Sequence, residues 1–254
     1  MRILKVAYNG GGLSKKEGVE KAPEIIVTHL KQANLNEAEL LPVFDFVDVK
    51  VENDNIENSR KIMKSMASSI PFIAIGGDHS ITGPLFETNA RENSGIIIFD
   101  AHPDLVEGKN SHEDWLRSLI EEGKVKPQNV ILVGIRNSHI QEVDFIKKYR
   151  LNTYSMKEIS HKGVNETCDS VMSAARSWDS MYISVDIDVL DPAFAPGTGY
   201  TEPGGLTTRE LLYFLQRLRL LKNFMAADVV EVNPDKDVNE ITSKAASKIV
   251  IELA

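Results

Sequence analysis

The chain has 254 residues, 42% of them hydrophobic and 26% charged, with a formal net charge of −8. Such a chain is long enough to bury its own core, and its acidic balance excludes a nucleic-acid surface built on basic charge. The single cysteine, Cys168, excludes an internal disulfide and a multi-cysteine zinc site.

Met1 to Leu4 has no signal-peptide pattern and no run approaches eighteen apolar residues, so a cytoplasmic protein with no membrane partner is expected. Ile3 to Tyr8 is predicted as a strand, stopped by Asn9-Gly10-Gly11-Gly12. Those glycines match neither a dinucleotide fingerprint nor a phosphate loop, and a flexible loop near the mouth of a site is expected there. A helix over Glu24 to Gln32 and a strand over Val43 to Val51 follow. A helix over Asn55 to Ser68 comes next, with Ile56, Ile62 and Met63 on one face. Pro71 to Ile75 reads as a buried strand leading into Gly76-Gly77-Asp78-His79-Ser80 and a helix to about Arg91, and Ile96 to Phe99 is the next strand. His112 to Glu122 is predicted helical, Val130 to Ile135 a strand, and Ile140 to Tyr149 a helix. A strand near Thr153 and a helix from Val164 to Ser177 precede the strand Met181 to Val185. Thr207 to Leu220 (helix), Phe224 to Val232 (strand) and Val238 to Glu252 (helix) close the chain. Short apolar strands alternating with helices predict one α/β domain over residues 1–254, a three-layer α/β/α arrangement with a mostly parallel central sheet.

In such sheets ligands collect beyond the carboxyl ends of the strands, and four polar clusters fall there. Asp100, His102 and Asp104 follow one strand; on extended backbone, residues i, i+2 and i+4 share a face. A polar turn, with Asp104 closing an Asx-turn, accounts for that stretch equally well when it is taken alone. Asp186 and Asp188 form a second pair by the same period, His79 follows a third strand, and Glu231 ends a fourth. Two imidazoles and four carboxylates are too oxygen-rich for structural zinc and suit a harder ion such as Mn²⁺. Six ligands exceed the needs of one open catalytic ion, so some carboxylates are expected to bridge two.

Three stretches then resemble the signatures of the ureohydrolase family, which includes arginase, agmatinase, formimidoylglutamase and guanidinobutyrase. They are Gly-Gly-Asp-His-Ser at 76–80, Asp-Ala-His-Pro-Asp at 100–104, and the run from Ser184 to Gly199. Glu202-Pro203-Gly204-Gly205-Leu206-Thr207, Glu231-Val232-Asn233-Pro234 and Gly18 to Pro23 continue the likeness. The resemblance implies an arginase-like fold and a hydrolase of linear amidines carrying two Mn²⁺ per subunit. A hydroxide bridging the two ions would attack a guanidino carbon to release urea and an amine. By position, His79, Asp100, Asp104 and Asp186 would hold one ion, and Asp100, His102, Asp186 and Asp188 the other. Glu231 would grip the guanidinium through paired hydrogen bonds, and His112 would carry a proton to the leaving amine. A homo-oligomer, trimeric or hexameric, is also implied, as is a place in polyamine metabolism.

Departures from the family pattern bear on the substrate. Only seven residues, Leu105 to Ser111, separate Asp104 from His112, fewer than in arginases, and the acidic pair that follows the matching arginine there is absent after Arg136. Agmatine is therefore the expected substrate, with guanidinobutyrase, formimidoylglutamase and arginase activities as alternatives. Glu107 or Lys109 would read the far end of the substrate, and Arg136 would hold an acid there. Tyr200 stands where the family carries a threonine close to the guanidinium. It leaves open a different class of function, a catalytically silent metal-binding subunit. His139 and His161 are expected at the surface, and Ser80 and Thr207 at helix starts.

Overall fold

The computed structural model describes residues 1–13, 17–108 and 111–254; Lys109 lies outside the described residues. Eight strands form one sheet: β1 Arg2–Lys5, β2 Asp45–Asp48, β3 Phe72–Ile75, β4 Gly95–Phe99, β5 Val130–Ile135, β6 Asn152–Ser155, β7 Met181–Asp186 and β8 Phe224–Val230. Their order is β2-β1-β3-β8-β7-β4-β5-β6, and every pairing is parallel. The nine helices among the described residues are α1 Ala22–Leu30, α2 Ile56–Met66, α3 Thr82–Asn89, α4 Trp115–Glu121, α5 Ile140–Tyr149, α6 Met156–Lys162, α7 Val164–Ala175, α8 Thr208–Leu218 and α9 Ile241–Leu253.

Alternation along the strands divides the core into two slabs. Ile3, Ile73, Ile75, Ile97, Phe99 and Ile183 pack with residues of α1 and α6 to α9 on one face. Leu4, Phe72, Ala74, Ile96, Ile98 and Tyr182 pack with residues of α2 to α5 on the other. Central strands are apolar at successive positions because both of their faces are covered. The α/β/α layering with a parallel sheet is thus the observed fold. Cys168 is buried in the first slab as a small apolar residue.

The topology positions the functional loops. The chain builds β1 to β3 on one side, leaves a gap, lays β4 to β6 beyond it, and returns to fill the gap with β7 and β8. The neighbours β3, β8, β7 and β4 therefore come from distant sequence, and their carboxyl ends lie side by side at a topological switch point. Those are the strands that precede His79, Glu231, Asp186 and Asp100.

Local geometry departs from the sequence expectations in four places. β4 ends at Phe99, so Asp100, His102 and Asp104 sit in the following loop, where Asp104 takes a left-handed φ of 55°. Likewise β7 ends at Asp186, and Asp188 lies in a single 3₁₀ turn over Ile187–Val189. Each pair converges through a turn, not through strand alternation. His112 precedes helix α4, whose N-cap is Asp114. Helix α6 was not anticipated, although Ser155 and Glu158 form the reciprocal capping box that marks its start.

Candidate active site

Two features of the β3–α3 turn place His79. Gly77 runs so close to the segment following β1 that a Cβ there would lie 1.7 Å from the carbonyl oxygen of Tyr8. Asp78, buried beside it, accepts the N–H groups of Gly11 and Gly12 on one carboxylate oxygen and that of Ser80 on the other. The glycine loop is therefore pinned to the site, and the carbonyl of Gly11 in turn accepts the backbone N–H of His112.

Behind the His79 ring lies a polar network that sequence reasoning missed. Asp228, fully buried in β8, accepts hydroxyl hydrogen bonds from Thr82, Tyr182 and Ser184 at 2.7–2.8 Å. Because the Ser184 proton is committed to Asp228, Ser184 Oγ must accept from His79 Nε2 at 2.8 Å. That leaves Nδ1 facing the cleft. An acid inside the apolar run Ala226-Ala227-Asp228-Val229-Val230 was the available signal.

His79 Nδ1 meets three carboxylates at once: Asp104 at 2.9 Å, Asp100 at 3.2 Å and Asp186 at 3.4 Å. Neither Nδ1 nor Asp100 Oδ2 makes a hydrogen bond among the described residues, although both are buried. His102 Nδ1 lies 3.0 Å from Asp188 and 3.6 Å from Asp100. The donor atoms of His79, Asp100 and Asp186 fall within 4.8 Å of one another, as do those of Asp100, His102 and Asp188. Two triads that share Asp100 are thus in place.

Electrostatics says what this packing demands. Burial, reinforced by neighbouring carboxylates, raises Asp186 well above its usual range, raises Asp188 too, and pushes Asp104 up to about 7. Burial alone would lower both histidines. The adjoining carboxylates win, holding His79 well above its ordinary value and His102 up to about 12. Asp100 is likewise opposed by burial but is held below the usual range by the two imidazoles. Protons are serving as the positive charge that the four acids need. Divalent cations at the two triads fit the donor set, since they would replace those protons and satisfy the unpaired Nδ1 and Oδ2 atoms.

Over the triads opens a cavity of about 130 Å³, lined by Glu231, His112, Glu113, Thr198, Tyr200, Asn137 and His139 among others. Glu231 sits at the end of β8 with a left-handed φ of 62°. Its Oε1 accepts the backbone N–H of His79 and faces His112 Nδ1, each at 2.8 Å. Burial lowers His112, but the Glu231 carboxylate overrides that and pushes it up to about 9. Tyr200 lies against both imidazoles, 5.4 Å from His102 and 6.1 Å from His112 between ring centroids, and donates to Glu113 at 2.8 Å.

Of the eight residues singled out from sequence, six line the cavity, and His79 and Asp100 lie against them in the triads beneath it. A model of the arginase family matches residues 1–254. The chain belongs to the arginase family. The arginase of Staphylococcus aureus is 31% identical over 281 aligned residues, covering 93% of this chain and 91% of that one. The guanidinopropionase of Pseudomonas aeruginosa is 36% identical over 195 residues, 74% of this chain and 60% of that one. Among solved structures, formimidoylglutamase from Bacillus subtilis matches with a TM-score of 0.92 at 26% identity, covering 99% of this chain and 85% of that one.

Within this arginase-family frame, some sequence expectations change. Arg136 does not face a substrate acid: its guanidinium is spent on the backbone carbonyls of Asp188, Val189, Leu190 and Glu202. Bridging those carbonyls ties the loop after β5 to the loop after β7. Glu107 is not among the residues lining the cavity. His139 is exposed as expected but stands at the cavity wall, while His161 is simply exposed. Thr207 caps α8 with a complete capping box, and Ser80 lies in the 3₁₀ turn His79–Ile81 ahead of α3.

Proposed function

We propose that this protein is a binuclear manganese hydrolase that cleaves a guanidino compound, agmatine first among them, to urea and an amine. The observation that carries the reading is the pair of triads sharing Asp100 beneath a cavity whose wall presents Glu231. His79, Asp100, Asp104 and Asp186 would hold one ion, and Asp100, His102, Asp186 and Asp188 the other. When bound, such a pair supplies the Lewis acidity that makes water a nucleophile at neutral pH. A guanidinium carbon, stabilised by resonance, needs that help.

The chain's own residues do the remainder. Glu231 receives the guanidinium through charge-assisted hydrogen bonds and orients its carbon over the triads. His112, protonated beside Glu231, holds the proton that the departing amine requires. The small, largely buried cavity limits access by bulk water. Among the described residues lining it there is no lysine or arginine. A substrate ending in a carboxylate would lack a partner there, which supports agmatine over 4-guanidinobutyrate. A homo-oligomer in the cytoplasm belongs to the same proposal, and light scattering on the purified protein tests its assembly.

Tyr200 favours a second reading, a metal-binding subunit without activity, because its ring lies against both His102 and His112. One experiment separates the two. After manganese loading, urea release is measured from agmatine, arginine, 4-guanidinobutyrate and guanidinopropionate, and formamide release from formimidoylglutamate. Agmatine turnover that is abolished by Asp186→Ala is the expected result. Manganese binding with no turnover of any of the five would overturn the hydrolase and leave the silent subunit.

A further inference from the structure

Among the described residues, Glu113 is the one carboxylate on the cavity wall with neither a metal-type cluster nor the protein backbone to neutralise it. Asp104, Asp186 and Asp188 belong to the triads or their surroundings, and Glu231 has one oxygen, Oε1, on His112 and the backbone N–H of His79, with Oε2 left for the guanidinium. Glu142 spends one oxygen on the N–H of Leu105 and the other on that of His139. Glu113 Oε1 accepts the Tyr200 hydroxyl at 2.8 Å, and among the described residues nothing hydrogen-bonds to its second oxygen. Its side chain is 29% exposed, which is open enough to be reached from the cavity and sheltered enough to make an unpaired charge costly.

The imidazole beside it supplies an independent sign of a missing ligand. His112 is 6% exposed, and its Nε2 is buried without a hydrogen-bond partner among the described residues, 3.9 Å from Glu113 Oε1. On the opposite edge of the same ring, Nδ1 meets Glu231 at 2.8 Å. Two carboxylates thus flank a single imidazole, with the Tyr200 ring stacked at 30° to it.

On the reading that Glu231 receives a guanidinium, we infer that Glu113, held by Tyr200, is a specificity-determining residue that takes the cationic far end of the substrate. The geometry selects a short molecule carrying positive charge at both ends, its aliphatic middle running along the His112 and Tyr200 rings. A carboxylate at that end would meet Glu113 as a like charge, and a neutral end would leave it unpaired.

The test compares three guanidines on manganese-loaded protein: agmatine, 1-butylguanidine, which lacks the terminal ammonium, and 4-guanidinobutyrate. In Glu113→Gln the ratio of kcat/KM for agmatine over butylguanidine should fall about tenfold or more, the worth of one charge-assisted hydrogen bond. The fall should come through KM, and the relative use of 4-guanidinobutyrate should rise. Tyr200→Phe, which keeps the ring and frees the Glu113 carboxylate from the hydroxyl, should shift the same ratio in the same direction by about threefold. Calorimetric titration with agmatine and butylguanidine reads the same contrast without turnover. An unchanged ratio in Glu113→Gln, or equal losses on both guanidines, would overturn the assignment while leaving the hydrolase intact. If the parent hydrolyses none of the three yet binds agmatine in a Glu113-dependent way, the hydrolase reading fails and this recognition stands.

Discussion

Asp228 touches nothing that reacts, yet it decides which nitrogen His79 presents. By taking the Ser184 proton it makes Ser184 an acceptor for His79 Nε2, and Nδ1 is left for the cleft. Partners behind a metal-ligating histidine commonly command a 10- to 100-fold effect on affinity. Asp228→Asn is therefore expected to weaken manganese binding by about 10- to 100-fold, measured by titration against a competing chelator, while far-ultraviolet circular dichroism stays native. His112 supplies a second prediction at this scale. Its folded-state value is raised from 6.5 to about 9, so the stabilising proton is fully present below 6.5 and is lost as pH rises through 9. In urea unfolding of the metal-free protein, the parent should exceed His112→Asn by at most about 3 kcal/mol at pH 6. Most of that margin should be gone at pH 10. A margin that does not change with pH would show that the pair with Glu231 is not what holds the proton.

At the scale of elements, the β3–α3 turn shows how backbone proximity builds a site. Gly77 is present because the segment following β1 passes within reach of any Cβ: the conflict would be with the Tyr8 carbonyl, not with a flexible side chain. Gly77→Ala must push the turn off that segment, and Gly77 O also accepts the N–H of Glu231. We expect a loss of about 1–3 kcal/mol in stability, the range of overpacked sites, read by thermal denaturation, and reduced metal content in the protein that still folds. Native stability with full metal would show that the turn relaxes freely. The loop after β4 shows why strand alternation was the wrong reason for grouping its residues. Asp100, His102 and Asp104 do converge, but only because Asp104 adopts a left-handed conformation in a loop, which residue identity alone does not announce.

Across the whole molecule, four adjoining strands deliver buried acids to one edge of the sheet, and the fold carries that repulsion. Asp104 is raised to about 7, and Asp186 and Asp188 are raised as well. The metal-free folded chain then keeps protons that the unfolded chain releases. The contribution of these three acids to stability is fully present below the ordinary carboxylate range and is lost as pH rises through about 7. On the proposed function, manganese bound to the folded state should reverse that dependence. The melting temperature with manganese minus that with chelator should be small near pH 5 and grow by pH 8, as mass action requires. Scanning calorimetry at the two pH values checks this, and a difference that shrinks toward pH 8 would contradict it.

The sequence by itself determined the layering and marked the acids and histidines that the fold brings together. Runs such as Gly95-Ile96-Ile97-Ile98-Phe99 are legible because both faces of a central strand need apolar cover, and the motifs at 76–80, 100–104 and 184–199 are contiguous. Only the tertiary structure decided what depends on contacts between distant segments. It turned Arg136 from a presumed substrate clamp into a brace across carbonyls, because those carbonyls belong to loops more than fifty residues away. It placed Asp228 behind His79, since their strands meet only when β8 returns beside β3. It set Glu113 against Tyr200, 87 positions apart. A sequence shows which groups are available; which of them face one another depends on the order in which the sheet is assembled.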